Sequence, residues 1–200
     1  MPKLFEILMK YKKKISLFLP IKKIDLYVLE TFLFKLYKPR SKNYVICIGG
    51  MYGEHDLIKL FHKKNYNIKS SIVSACNILP IYLMHSINYD YRFGGFKGDA
   101  SKELMWENAK KKLGIKKFDL VYIRFPDLFE RNNWEEVLNK SLDNITKDGA
   151  VFMLIRKADL TKLNRFLKNI KHKPKLIKKT NITFLNRQSK IFHTVIVFKN

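Results

Sequence analysis

Short apolar runs alternating with stretches of helical periodicity constrain this chain more than any single motif. Residues 44–48, 118–124 and 150–155 are the strongest runs, with a further run at 70–75 and a weaker one at 92–96. A strand buried on both faces reads as such a run rather than as an apolar–polar alternation. Parallel neighbours need a crossover of a dozen or more residues between them, usually a helix. Helical patterns over 54–64, 78–87, 101–113, 133–145 and 158–170 supply those crossovers, with Glu103 and Glu107 in the early turns of the third. Asp148-Gly149 reads as a turn into the run at 150–155. Two β-rich runs, 177–185 and 191–198, close the chain, and Arg187-Gln188-Ser189-Lys190 between them marks a hairpin. The expectation is an α/β fold. Its core is a doubly wound, mostly parallel seven-stranded sheet with helices on both faces and a C-terminal antiparallel hairpin strand.

Residues 1–42 have a different rhythm and read as an N-terminal helical extension to a domain over 43–200. Leu4, Ile7, Leu8, Tyr11, Ile15 and Phe18 recur at helical spacing, with Lys10, Lys12, Lys13 and Lys14 on the other faces. Pro20 separates this helix from a second one at 24–37, which stops before Pro39. A basic amphipathic helix can lie on a membrane surface. Packing on the domain is the stronger expectation, because the apolar stripe needs a core to cover it. Charges break every apolar run of the N-terminus, so neither a signal peptide nor a spanning helix is expected. Hydrophobic residues make up 46% of the chain and aromatics 14%, which excludes wholesale disorder. Cys47 and Cys76 fit no disulfide framework, zinc knuckle or redox pair. A cytoplasmic protein in a reducing setting is expected.

Charge narrows the partners. Forty Lys and Arg against seventeen Asp and Glu give +23, a field that attracts RNA, DNA, acidic lipid or phosphorylated ligands. The skew to 33 Lys and 7 Arg, with 15 Asn, 21 Ile and 5 Ala, has a competing source in an AT-rich genome. Base and phosphate readers lean on Arg, which is scarce here. RNA or another polyanion on a Lys-rich surface is the partner expectation. The densest basic segments are Lys110–Lys112 with Lys116-Lys117, and the stretch from Lys168 to Lys179.

An open parallel sheet binds ligands beyond the carboxyl ends of its strands, at the point where strand order reverses. The first strong run ends there in Gly49-Gly50-Met51-Tyr52-Gly53-Glu54 and leads into a helix. Glycines let backbone N–H groups approach a ligand, and a helix N-terminus favours negative charge. The spacing is neither G-x-G-x-x-G nor a Walker loop. With 45–53, the loop Gly98-Asp99-Ala100, the run Phe118-Asp119-Leu120-Val121, residues 142–151 and the closing hairpin, the order of features over 43–200 resembles class I S-adenosylmethionine-dependent methyltransferases. The resemblance implies S-adenosylmethionine as cofactor, held by Gly49, Gly50, Gly53, Ser74, Asp99 and Ala100, with Asp99 on the adenine. Where that family carries an acid in strand one this chain has Cys47, and its middle glycine falls on Met51. Ser74-Ala75-Cys76 stands where a ribose-binding acid is expected; a serine can still hydrogen-bond a hydroxyl.

After the fourth-strand run comes Arg124-Phe125-Pro126-Asp127, which the resemblance places facing the transferred methyl group. Methyl transfer from a sulfonium asks mainly for alignment of nucleophile, carbon and sulfur. Asp127 would orient or deprotonate the nucleophile, and Arg124 would hold an anionic group; a local ion pair fixing the loop is the equal alternative. His55 and His62 have no third ligand at zinc-like spacing, so no metal is expected. Tyr89-Asp90-Tyr91-Arg92-Phe93 could stack a base, but a packed loop is the stronger expectation. The expected activity is methyl transfer to an acceptor the sequence does not name. The alternative is a non-catalytic nucleic-acid-binding protein on the same scaffold.

Overall fold

The computed structural model describes residues 33–48, 57, 60–74, 94–97, 99–123, 128–130, 132–170, 175–185 and 190–199. Its strands are β1 (Lys42–Ile48), β2 (Asn67–Ser74), β3 (Gly94–Lys97), β4 (Phe118–Ile123), β5 (Ile145–Arg156), β6 (Lys175–Leu185) and β7 (Lys190–Lys199). Three helices are α1 (Glu103–Leu113), α2 (Trp134–Asp143) and α3 (Leu160–Asn169). Helical backbone also covers Phe34–Leu36, Leu57 and residues 60–63. The expected helices at 3–19 and 78–87, and most of that at 24–37, lie outside the described residues.

Strand order is β3-β2-β1-β4-β5-β7-β6. The pairs β1–β2, β1–β4, β2–β3 and β4–β5 are parallel; β7 runs antiparallel to both β5 and β6. The α/β architecture expected from the run-and-helix alternation is therefore the one adopted.

Side-chain alternation divides the central strands between two cores. Ile46, Ile48, Val121, Ile123, Val151, Met153 and Ile155 face α1, α2 and α3, meeting Trp106, Ala109, Leu138, Leu163 and Phe166. Val45, Cys47, Leu120, Tyr122, Ala150 and Phe152 face the other way, against Leu33, Tyr37, Leu57, Leu60 and Phe61. This two-sided burial is why the strands read as unbroken apolar runs. Trp106 is fully buried, edge-on to Phe118, and its indole N–H donates to the Ala100 carbonyl at 2.9 Å.

The ends of elements follow local chemistry. Gly114 ends α1 with φ 66°, its N–H reaching the Lys111 carbonyl while that of Ile115 reaches Lys110, a glycine-dependent helix stop. The turn expected at Asp148-Gly149 instead forms part of a longer β5. Phe118 pairs with Ile145 but Leu120 with Ala150, so the intervening residues bulge out of register. A Cβ on Gly149 would come within 2.9 Å of the Thr146 carbonyl oxygen, which explains the glycine at this fold-back.

Candidate active site at the carboxyl edge of the sheet

Register fixes where the carboxyl edge lies. Ile48, the last residue of β1, is opposite Val73 on one side and Ile123 on the other. Ser74, which closes β2, is opposite Lys97, which closes β3. Four strand ends therefore stop within about one residue of one another. β2 flanks β1 on one side and β4 on the other, so strand order reverses at β1, the point at which open parallel sheets bind their ligands.

Gly49 and Gly50 follow Ile48 directly in the chain, but with Gly53 they lie outside the described residues, as do Arg124 and Asp127. Ser74 is placed by its backbone alone. Asp99 and Ala100 are described fully. Asp99 is exposed two residues past β3. Its Oδ1 accepts the Ser101 N–H at 2.9 Å, the Ser101 hydroxyl at 2.8 Å and the Asn133 amide at 3.3 Å. The same Asn133 amide donates to Ser101 Oγ at 3.1 Å. Asp99 thus fixes the turn into α1 and ties it to the start of α2, in addition to any ligand role. Ala100 is buried and holds Trp106 through its carbonyl.

A second cluster stands at the same edge, where sequence reading placed nothing. Arg156 closes β5 and donates to Asp159 Oδ2 at 2.9 Å and to Glu130 Oε1 at 2.6 Å. Those bonds, Asp159 first, raise its pKa further above the ordinary arginine value. Lys162 donates to the Phe129 carbonyl at 2.8 Å, and Trp134 packs its ring between Phe129 and Phe166. The segment that resumes after residues 124–127 is therefore anchored to β5 and α3. Arg156 and Asp159 stand three apart in sequence, a readable spacing; Glu130, 26 residues away, gave no local signal.

At the opposite, amino edge, Asp119 is buried beneath Arg40. Its Oδ2 accepts the Tyr44 N–H at 2.9 Å, and its Oδ1 lies 3.5 Å from Arg40 Nη1. Arg40 also reaches Asp148 at 3.0 Å. Burial first, then the Asp119 carboxylate, pushes the Tyr37 phenol above its ordinary range. A cavity of about 130 Å³ lies between Tyr37, Arg40, Asp119 and Asp148. The buried acid's contacts make this edge a clamp on the chain entering β1.

The comparisons fit the geometry. No protein-family profile matches the sequence, and no curated protein matches it. Solved structures do. One is a provisionally assigned class I S-adenosylmethionine-dependent methyltransferase from Listeria monocytogenes, at TM-score 0.61 and 14% identity, over 90% of this chain and 59% of that one. Fibrillarin, in its complex with Nop5p, gives 0.60 and 15% identity over 84% of this chain and 78% of that one. A provisionally assigned RNA methyltransferase from Pyrococcus horikoshii gives 0.58 and 13% identity, over 90% and 81%. The protein has the Rossmann-like fold of class I S-adenosylmethionine-dependent methyltransferases. It spans about three fifths of the length of the Listeria protein.

The described residues suit an adenosyl group. An exposed carboxylate stands beyond β3, able to accept from an amino group, with the end of β2 next to β3 and that of β1 one strand further on. Cys47 does not add to this. It is fully buried between the sheet and Leu57, Leu60 and Phe61, on the second core.

Proposed function

We infer that the protein catalyses methyl transfer from S-adenosylmethionine. One observation carries the reading: Asp99 and the end of β1 border the same carboxyl edge, with only β2 between them. Strand spacing makes that separation about 10 Å, a gap on the scale of a nucleoside. Gly49, Gly50 and Gly53 would give backbone N–H groups to the cofactor, Ser74 a hydroxyl to its ribose, and Asp99 with Ala100 its adenine contact. The cofactor would supply a methyl group on a sulfonium, a leaving group that needs no protonation. Asp127 would orient the acceptor and Arg124 would hold an anionic group beside it. The Arg156–Glu130 pair, by anchoring the segment downstream, would keep that loop in place.

The division into a helical extension over 1–42 and a domain over 43–200 is supported by the sheet beginning at Lys42, with Leu33 and Tyr37 packed on the second core. Two cysteines without a framework favour the cytoplasm. The excess of 23 positive charges favours a polyanionic acceptor over a neutral metabolite.

Calorimetry with S-adenosylhomocysteine tests the reading. Binding in the micromolar range is expected, weakened about tenfold in Asp99→Asn, a loss typical of one charge-assisted hydrogen bond. Folded protein that gives no heat with this ligand is the result that ends the proposal.

A further inference from the structure

The excess charge is unevenly distributed along the chain. All seventeen acids precede Leu160, and the 41 residues from there to Asn200 contain eleven Lys and Arg and no acid at all. Its described elements are α3, which packs on the first core, and the strands β7 and β6, which end the sheet. The other dense basic segment is different. On α1, Lys110 pairs with Glu107 at 2.7 Å, and Glu103 bonds Lys140 of α2.

α3 presents its cations to solvent without such answers. Leu163 and Phe166 are buried in the first core, with Leu160, Leu167 and Ile170 packed beside them. The outward face carries Thr161, Lys162, Asn164, Arg165, Lys168 and Asn169, all exposed. Among the described residues, neither Arg165 nor Lys168 has an acid within ion-pair distance, and the Lys162 ammonium meets only a carbonyl. Lys162, Arg165 and Lys168 recur every three residues, a rise of about 4.5 Å per step. The row begins beside the carboxyl edge, where Lys162 holds the segment after β4, and runs away from it along α3.

We propose that this face of α3 binds the sugar–phosphate backbone of single-stranded RNA and leads it toward the carboxyl edge. Phosphate tracking needs point charges rather than the bidentate fork of arginine, which suits a lysine-rich row. The four-residue repeat of the helix sets Thr161 and Asn169 beside Arg165 and Asn164 beside Lys168, a neutral hydrogen-bonding group next to a cation. Such pairs match a phosphate with the ribose 2′-hydroxyl next to it, the group that separates RNA from DNA. A membrane surface would ask for exposed apolar side chains among the cations, and this face has none. The inference goes beyond the cofactor reading and does not depend on it: S-adenosylhomocysteine calorimetry reports on the carboxyl edge and RNA binding on α3, so either can fail alone.

The test is fluorescence anisotropy of the full chain with an unstructured, labelled RNA oligonucleotide, between about 50 and 200 mM salt. Arg165→Glu/Lys168→Glu should weaken binding about tenfold or more and flatten the logarithmic salt dependence by roughly 1.4, the share of two phosphates on a single strand. Arg165→Gln/Lys168→Gln should follow in the same direction with a smaller loss, and thermal melts monitor the fold of each variant. Lys111→Glu/Lys117→Glu, with the identical charge change on and after α1, should leave most of the affinity. Equal losses in the two reversal variants would assign binding to diffuse charge and overturn the proposal. So would equal affinity for DNA of the same sequence, or binding to phosphatidylserine vesicles without binding to RNA.

Discussion

Asn43 is fully buried and uses its whole amide. It accepts the Tyr37 hydroxyl at 3.0 Å and the Arg40 N–H at 2.8 Å, and donates to the carbonyls of Arg40 and Asn67. Nothing in the run at 44–48 pointed to it, because the partners come from two other segments. The same neighbourhood sets a pH response. Burial and Asp119 disfavour the Tyr37 phenolate, so the folded chain keeps this proton where the unfolded chain begins to lose it, near pH 10. Above that point the unfolded state binds fewer protons, and stability falls as pH rises, by up to about 1.4 kcal/mol per unit from this one group. Below it the contribution is fully present. Tyr37→Phe should remove that part of the alkaline decline while costing about 1 kcal/mol at pH 8 for the lost hydrogen bond. Urea unfolding of both proteins from pH 8 to 11 measures the difference; parallel curves would mean that the hydroxyl titrates as in water.

Elements were legible where their burial is symmetrical. β1, β4 and the second half of β5 read directly from the sequence because both faces are covered, and the cores of α1, α2 and α3 because one face is. Boundaries shifted where long-range pairing took over. The helix expected to run to Ile145 stops at Asp143, since Ile145 is claimed by Phe118 as a strand partner. Asp148-Gly149 carries an ordinary turn signature, yet its role is to return a bulged strand to register, which only the partner strand reveals. That role makes Gly149 sensitive. Its Cβ space is filled by backbone of Thr146 at 2.9 and 3.0 Å, atoms that cannot swing aside as a side-chain tip can. Gly149→Ala should therefore cost about 1–3 kcal/mol, against the small gain that alanine brings at an unstrained site. A lowered urea midpoint with unchanged slope checks this, whereas an unchanged midpoint would show that the bulge relaxes freely.

At the scale of the whole molecule, two electrostatic effects oppose each other. Several ion pairs bridge elements: Arg156–Glu130, Arg40–Asp148 and Glu103–Lys140, the last holding the Glu103 carboxyl below its usual range. Their acids are about half exposed or more, so each pair contributes little and salt weakens it. Against them stands +23 spread over one compact chain. A domain of this length has a radius of gyration of roughly 16 Å. At 0.01 M salt the Debye length is about 30 Å, so nearly every cation feels the rest; at 0.1 M it is about 10 Å and most of that repulsion is gone. The repulsion involves many pairs and the bridges only a few, so repulsion wins. Stability should rise as sodium chloride is raised from about 0.01 to 0.1 M, before any preferential-exclusion effect sets in. Unfolding followed by circular dichroism at the two concentrations decides it: a midpoint that falls with salt would mean that the bridges, and not the net charge, govern this fold's electrostatics. The sign of that balance and the acid-free stretch after Asp159 were readable in the sequence, but the fold was needed to show that, among the described residues, Arg165 and Lys168 of α3 have no acid within ion-pair distance, whereas Lys110 of α1 has one.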